Sequence, residues 1–472
     1  MKRVLCLIVG VSATVAATVM TVHTAPAATA PTFTKDVAPI IFEKCATCHR
    51  AGEIAPMTLM SYEDARPWAK AIKAKVVSRE MPPWGADHEN TLKMRNDRSL
   101  SEQQIQTLAA WADAGAPRGN PADMPAAPKF AEGWTYGSEP DYIIEMPTEV
   151  QIPAEGEISV LNFYMKVPFE TDRFAQVVEL RPGNRSVVHH ASVYFADLPE
   201  GATLDKDGRM ILPEGRRGNA GRSGEVGLPG SSKLLSFVPG RGVDQHRDDI
   251  GKRIPAGKYI NWQVHYNPTG KPEKDRSRLG IWFNKVPVTH EVLIRQAGDA
   301  LATTKGGQSL YRAEGREVEY TSEEGSTQRR SRTPNIPPYV EAWSLTGITP
   351  VTEDITLYAM SPHMHLRGKS LKWVITYPDG RDQTILNVPK FDFNWQINYE
   401  LAEPLHIPAG SKIAGVGFYD NSLKNKWNPG PQLEVFWSEQ SWDEMYQPFT
   451  EYSVDSQDLT KIVPVTQQQQ QQ

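Results

Sequence analysis

Two groups of side chains in this 472-residue sequence are typed and spaced for chemistry. The first is Cys45-Ala46-Thr47-Cys48-His49. Two thiols three positions apart can capture the two vinyl groups of a haem, and the His that follows lands on the iron. A redox dithiol does not call for the His, and zinc would need further ligands, for which no second cysteine pair exists. The second group is a set of histidines further along: His189-His190, then His265, then His363 and His365 flanking Met364. Residues two apart on a strand share a face, so His363 and His365 can point at one metal ion while Met364 points away. Adjacent His189 and His190 face opposite ways on a regular strand and can meet one ion only at a bulge or a strand end. Taken singly, each motif is better explained by a buried His bonded to a carbonyl. Only their combination points to metal.

These residues need elements to hold them. A helical pattern through Val37, Ile40 and Ile41 runs into Cys45. A second helix opens at Ser101 with Gln104 as capping-box partner, carries Ile105, Leu108 and Trp111, and ends at Gly115. Helices before and after the haem motif resemble the small cytochrome c arrangement, an all-α domain spanning 31–122. The second axial ligand is expected at Met81, in the Pro-stiffened loop Arg79-Glu80-Met81-Pro82-Pro83-Trp84, with Met57, Met60, Met94 and His88 as rivals. A Met/His pair would raise the potential and suit electron transfer. A linker rich in Pro, Ala and Gly follows over 123–141.

From Tyr142 the pattern turns to short apolar strands separated by turns, which predicts two all-β jelly-roll or sandwich domains. Ile254-Pro255-Ala256-Gly257 leads into a strand ending His265-Tyr266, and Ile407-Pro408-Ala409-Gly410 leads at the same offset into one ending Phe418-Tyr419. Each lies downstream of a two-His motif, so the copies are placed at 142–297 and 335–460. A charged, Gly/Ser/Thr-rich surface insertion is expected between them over 298–334, and a disordered tail over 461–472.

The N-terminus reads as a signal peptide over 1–27: Lys2 and Arg3, an apolar run from Val4 to about Met20, then small residues with cleavage after Ala27. That predicts a periplasmic or secreted protein, where haem is attached. An uncleaved anchor is the alternative and the only route to a membrane. Cys6 leaves with the signal, so Cys45 and Cys48 remain and no structural disulfide is expected. With Lys and Arg totalling 51 against 56 Asp and Glu, and no basic blocks, the chain is not built for nucleic acid.

The ordered set His189-His190, Gln263-Val264-His265-Tyr266, Ser361-Pro362-His363-Met364-His365-Leu366-Arg367-Gly368 and Trp442-Asp443-Glu444-Met445 resembles the copper type II, ascorbate-dependent monooxygenases. That is the family of peptidylglycine hydroxylating monooxygenase and dopamine β-hydroxylase, and the likeness covers roughly Tyr142 to Val454. It implies two coppers: an electron-storing one on His189, His190 and His265, and an oxygen-binding one on His363, His365 and Met445. Three imidazoles suit Cu(I)/Cu(II) cycling, and a soft thioether favours Cu(I), the state that meets O₂. The sequence departs from the family in having no spare cysteines and in carrying Ser361 where peptide-amidating members have an Arg for the substrate carboxylate. That argues against a C-terminal peptide carboxylate. Gln447 stands where those enzymes have Asn.

The expected function is therefore a copper-dependent monooxygenase that hydroxylates a C–H bond of a small molecule with O₂. Haem c would be its electron inlet, fed by a redox partner protein or by ascorbate. The rival is a non-catalytic periplasmic protein that carries electrons or binds copper.

Overall fold

The computed structural model describes residues 30–461 apart from 132, 157, 214–231, 298–309, 319, 323–328, 332 and 439. The expected signal peptide, part of the expected insertion and the tail beyond 461 lie outside the described residues. Among the described residues no helix is long and apolar enough to cross a membrane.

Among the described residues helices are few and, apart from the short turn Leu459–Lys461, lie between Phe33 and Asp123. Ala38–Lys44 buries Ile40 and Ile41 and is capped at its C-terminal end by Cys45. Glu102–Asp113 opens on the expected capping box, with Gln104 N donating to Ser101 Oγ at 3.2 Å and Ser101 N donating to Gln104 Oε1 at 2.9 Å. Its inward stripe Ile105, Leu108 and Trp111 packs with Phe33, Ile41 and Leu59.

The remainder is β. Trp343–Pro350 buries every second side chain, as one face of a sandwich must. The first sandwich pairs a sheet through Tyr142–Glu145, Arg278–Phe283, Arg173–Arg181 and Ile250–Ile254 with a sheet ordered Leu161–Lys166, Tyr259–Tyr266, Val188–Ala196, Ser232–Phe237. The second pairs Leu293–Gln296, Gln447–Val454, Ile355–His363 and Tyr399–Ile407 with a sheet running from Leu310–Ala313 through Trp343–Pro350, Lys412–Tyr419 and Gly368–Thr376 to Asp382–Val388. The chain passes from one sandwich to the other at Val292: His290–Glu291 pairs with the first and Leu293–Gln296 with the second. Leu310–Ala313 lies in the stretch expected to be a surface insertion, yet it pairs with Trp343–Pro350 and buries Ala313. A four-residue strand is too short to show a period against charged flanks.

The two Ile-Pro-Ala-Gly corners occupy equivalent places, each turning the chain from one sheet of its sandwich to the other. In the first copy His265 pairs with His190 and Tyr266 with Val188, leaving His189 as a bulge. In the second, Phe418 pairs with Ser370 and Tyr419 with Gly368, leaving Lys369 as the bulge. The two-His motifs themselves are not equivalent. His189-His190 opens Val188–Ala196, just after the crossover from Arg173–Arg181, whereas His363 closes Ile355–His363, just before the crossover to Gly368–Thr376.

Candidate metal centre

The bulge at His189 does what adjacent histidines need, turning two rings that regular pleating would oppose to one side of the strand. The His189 and His190 ring centroids are 5.2 Å apart, and His265 on the neighbouring strand lies 5.3 and 5.1 Å from them. One ligand atom from each of the three falls within 4.8 Å of the others. His189 Nδ1 and His265 Nδ1 face each other at 3.3 Å. Two imidazole nitrogens each about 2.0 Å from one ion at a tetrahedral angle are about 3.3 Å apart, so the pair is spaced for a shared metal. The Ile158 carbonyl accepts a hydrogen bond from the His265 ring, which fixes its orientation. His189 Nε2 is buried with no partner.

In the second set His363 Nε2 lies 3.3 Å from Met445 Sδ, and the His363 and His365 rings are 5.3 Å apart at 81°. The opposite nitrogens are engaged. His363 Nδ1 bonds Gln396 Oε1, and His365 Nδ1 donates to the Asp443 carbonyl at 3.2 Å. The His363 anchor leaves its Nε2 turned to Met445 Sδ, as a ligating histidine requires, while the His365 ring is held by the Gln440 carbonyl as well. Met364 is fully buried in the core of the second sandwich, pointing away as expected.

Burial, the largest cause in every case, holds all five rings neutral. His189 falls to about 3, with His265 and then His363 adding to the effect. His265 and His363 fall to about 4, and His190 and His365 lie well below the ordinary histidine range. Neutral imidazole is the ligating form. The donors thus suit copper: three imidazoles in one set, two imidazoles and a thioether in the other. The sets meet at the sandwich interface, where the His190 and His363 centroids are 6.2 Å apart. Phe393 packs against both, 5.2 Å from His189 and 5.8 Å from His365.

Three positioning residues escape sequence reasoning. Phe393 and Gln396 sit on an irregular loop whose only signal is aromatic residues among Asp and Asn. Glu444 is fully buried, and its carboxylate accepts N–H bonds from His365 at 2.8 Å, Arg367 at 2.6 Å and Met445 at 3.2 Å. It ties both ligand-bearing segments together, and burial pushes it up to about 7. Arg367 does not enter a pocket. Its guanidinium bonds Asn421 Oδ1 at 2.9 Å and the Trp442 carbonyl at 2.8 Å.

At the N-terminal motif Cys45 and Cys48 are unpaired and half-buried. Burial, then the neighbouring Cys48, pushes the Cys45 thiol up to about 12, and burial also raises Cys48. A redox dithiol needs a lowered thiol, which burial does not give here. His49 Nδ1 donates to the Met57 carbonyl at 3.2 Å, so Nε2 is the nitrogen this bond leaves open. Among the rival ligands, Met94 is spent elsewhere: it bridges to Leu401 and packs with Trp84 in the core of the second sandwich. His88 is exposed and bonded to Ser99. Met81 is half-buried in the loop after helix Ala69–Val77.

The helical region is docked on both sandwiches. A Cβ on Gly240, whose φ is +79°, would lie 3.3 Å from Cys48 Sγ and 2.8 Å from Arg98 Nη1. Arg98 also donates to the Gly240 carbonyl at 3.2 Å. On the other side Asp87 N, Leu92 N and Arg95 N donate to the carbonyls of Asn387, Ile385 and Glu400.

No protein-family model and no curated protein matches the chain. Solved structures give faint likenesses. One is an allantoicase, at 8% identity over 58% of this chain and 79% of that one, with a TM-score of 0.16. Another is a Paenibacillus xanthan lyase, at 10% identity over 73% of this chain and 29% of that one, with a TM-score of 0.18. A tandem CBM22 domain from Paenibacillus barcinonensis gives 11% identity, 70% and 96% coverage and a TM-score of 0.14. None is close enough to bear on function.

Proposed function

We propose that this chain is a copper-dependent monooxygenase resembling the copper type II family, with electrons supplied through a c-type haem on an attached cytochrome-like domain. One observation carries the reading: two three-ligand sets of different softness, each anchored by hydrogen bonds, converge at one sandwich interface. Copper on His363, His365 and Met445 would supply O₂ activation, and copper on His189, His190 and His265 would supply the second electron. The reaction balances as R–H, O₂, two electrons and two protons giving R–OH and water.

The chain's own residues have definable tasks. Gln396 and the Asp443 carbonyl hold the His363 and His365 tautomers, and Glu444 fixes the segments that carry His365 and Met445. Phe393 shields four of the five rings from water, which limits unproductive loss of reducing equivalents. Cys45, Cys48 and His49 would hold the haem, with Met81 as the second iron ligand, and would supply one-electron transfer beside the Gly240 loop of the first sandwich.

Metal analysis and oxygen uptake on the full chain test this. One haem and two coppers per chain are expected. Reductant-dependent O₂ uptake should disappear in His363→Ala, and Met81→Ala should convert a low-spin haem spectrum to high spin. Copper retained in full after both His363→Ala and His189→Ala would sink the site assignment. Full copper loading without uptake, under any reductant, would favour the electron carrier or copper binder instead.

A further inference from the structure

A narrow cleft open to solvent lies against His190, His363 and Met445 and is walled on the other side by Lys233 and Arg241 of the first sandwich and Gln447 of the second. Behind it sits a buried ionic cluster whose charges nearly cancel. Arg241 bonds Asp244, with Nε at 3.0 Å, and donates through Nη1 to the Ser236 carbonyl. Lys252 bonds Asp244 Oδ2 at 2.8 Å and Glu451 Oε1 at 3.2 Å, and donates to the Leu234 carbonyl at 3.0 Å. His246 shares Glu451 at 3.1 Å. Two carboxylates are thus matched by Arg241 and Lys252, and Lys233 is left over.

The Lys233 ammonium has no carboxylate partner among the described residues. It lies 3.6 Å from the Phe449 ring centroid and 5.8 Å from that of Tyr194, and it faces the cavity. Lys233 is half-buried, and a cation held in such a wall without a carboxylate is retained where something else supplies the negative charge. A second donor in the same wall is also unspent: Gln447 is 3% exposed, and its amide Nε2 has no partner. Burial, then Arg241 and Lys252, holds the Lys233 ammonium down to about 7, a state an incoming anion would reverse.

We propose that this cavity is the substrate pocket and that Lys233, with the Gln447 amide, binds an anionic group of the substrate, so that the molecule oxidised is a small organic acid. The inference rests on the monooxygenase reading for its second half only. Anion binding at Lys233 stands or falls separately.

The test uses the full chain and a panel of C3–C8 monocarboxylates, each paired with its primary amide. By calorimetry the acids bind and the amides do not. Lys233→Met weakens the acids by about thirtyfold or more, while Lys233→Arg keeps most of the affinity. Copper content is unchanged in both variants, because Lys233 is not a ligand. In the copper-loaded enzyme the acids that bind also stimulate O₂ uptake. Acids and amides binding alike, Lys233→Met binding acids as tightly as the parent, or no acid binding at all would each overturn the pocket assignment. Acids that bind through Lys233 without stimulating uptake would instead overturn the substrate half.

Discussion

Acidifying the copper-free protein from pH 7.5 to 5.5 is expected to remove about 6 kcal/mol of stability from the β region. Burial holds His189 to about 3, His265 and His363 to about 4, and His190 and His365 well below the ordinary range. When the folded value is depressed, the unfolded chain binds more protons. Stability is therefore complete above the unfolded value of about 6.5 and is lost as pH falls below it. At pH 5.5 all five rings are still neutral in the fold, so only the unfolded value matters. Each ring then costs about 1.4 kcal/mol, or about 7 kcal/mol for the five. Two neighbours adjust this. Glu444, pushed up to about 7 by burial, takes a proton in the folded state over the same window and returns about 2 kcal/mol. Lys233, held down to about 7 by burial and its cationic neighbours, removes about 1 kcal/mol more. Urea unfolding followed by circular dichroism reads the result. At a slope of about 3 kcal/mol per molar the midpoint falls by about 2 M. A fall of less than about 0.5 M, on the same slope, would mean that these rings are not held neutral together and would refute the reasoning.

Two further perturbations separate positioning from ligation. Glu444→Gln replaces an acceptor of three backbone N–H groups with a side chain that turns its own N–H₂ toward at least one of them. It should cost about 1–3 kcal/mol and weaken copper at His363, His365 and Met445 by about 10–100-fold. Copper at His189, His190 and His265 should persist, and metal titration with a spectroscopic probe of each site distinguishes the two. Gly240→Val places a branched side chain at a φ of +79° against Cys48 and Arg98, at a backbone cost of about 1–2 kcal/mol. It should slow reoxidation of the reduced haem by O₂ in stopped flow, with haem and copper content intact. An unchanged rate would remove this loop from the electron route.

How much was legible depended on whether a feature had a local cause. The capping box at Ser101 and Gln104 is settled within four residues, and the structure has it in both directions. The bulge at His189 follows from the need of adjacent rings to share a side. Contacts made in three dimensions left no such mark. Met94 stood as a rival haem ligand because its loop follows the haem motif, but the loop runs out to the second sandwich and buries Met94 against Leu401. Phe393, Gln396 and Glu444 matter only because the sandwiches close on one another, and no period in the sequence reports that. The two-His motifs looked like matching features of a repeat, yet they sit on successive strands rather than equivalent ones.

That non-equivalence bears on how one interface comes to hold two different donor sets. Both copies carry the same bulge at the same sheet-to-sheet crossover, one residue before His190 in the first and before Ser370 in the second. The first copy places its ligands after the crossover, on the bulge and on the adjoining strand end at His265. The second leaves Lys369, Ser370 and Phe418 at those three positions and places His363 and His365 before and within the crossover. Its third donor must then come from a separate segment, and Met445 supplies it, 3.3 Å from His363 Nε2. Because both sets flank the same kind of crossover, sandwiches meeting crossover to crossover bring His190 and His363 together without a dedicated bridging element. The departure from exact repetition is also what makes the ligands differ. A faithful copy would give two imidazole triads of one character, whereas this arrangement pairs an imidazole-only set with a thioether-softened one, the difference that the proposed split between electron storage and O₂ binding would use.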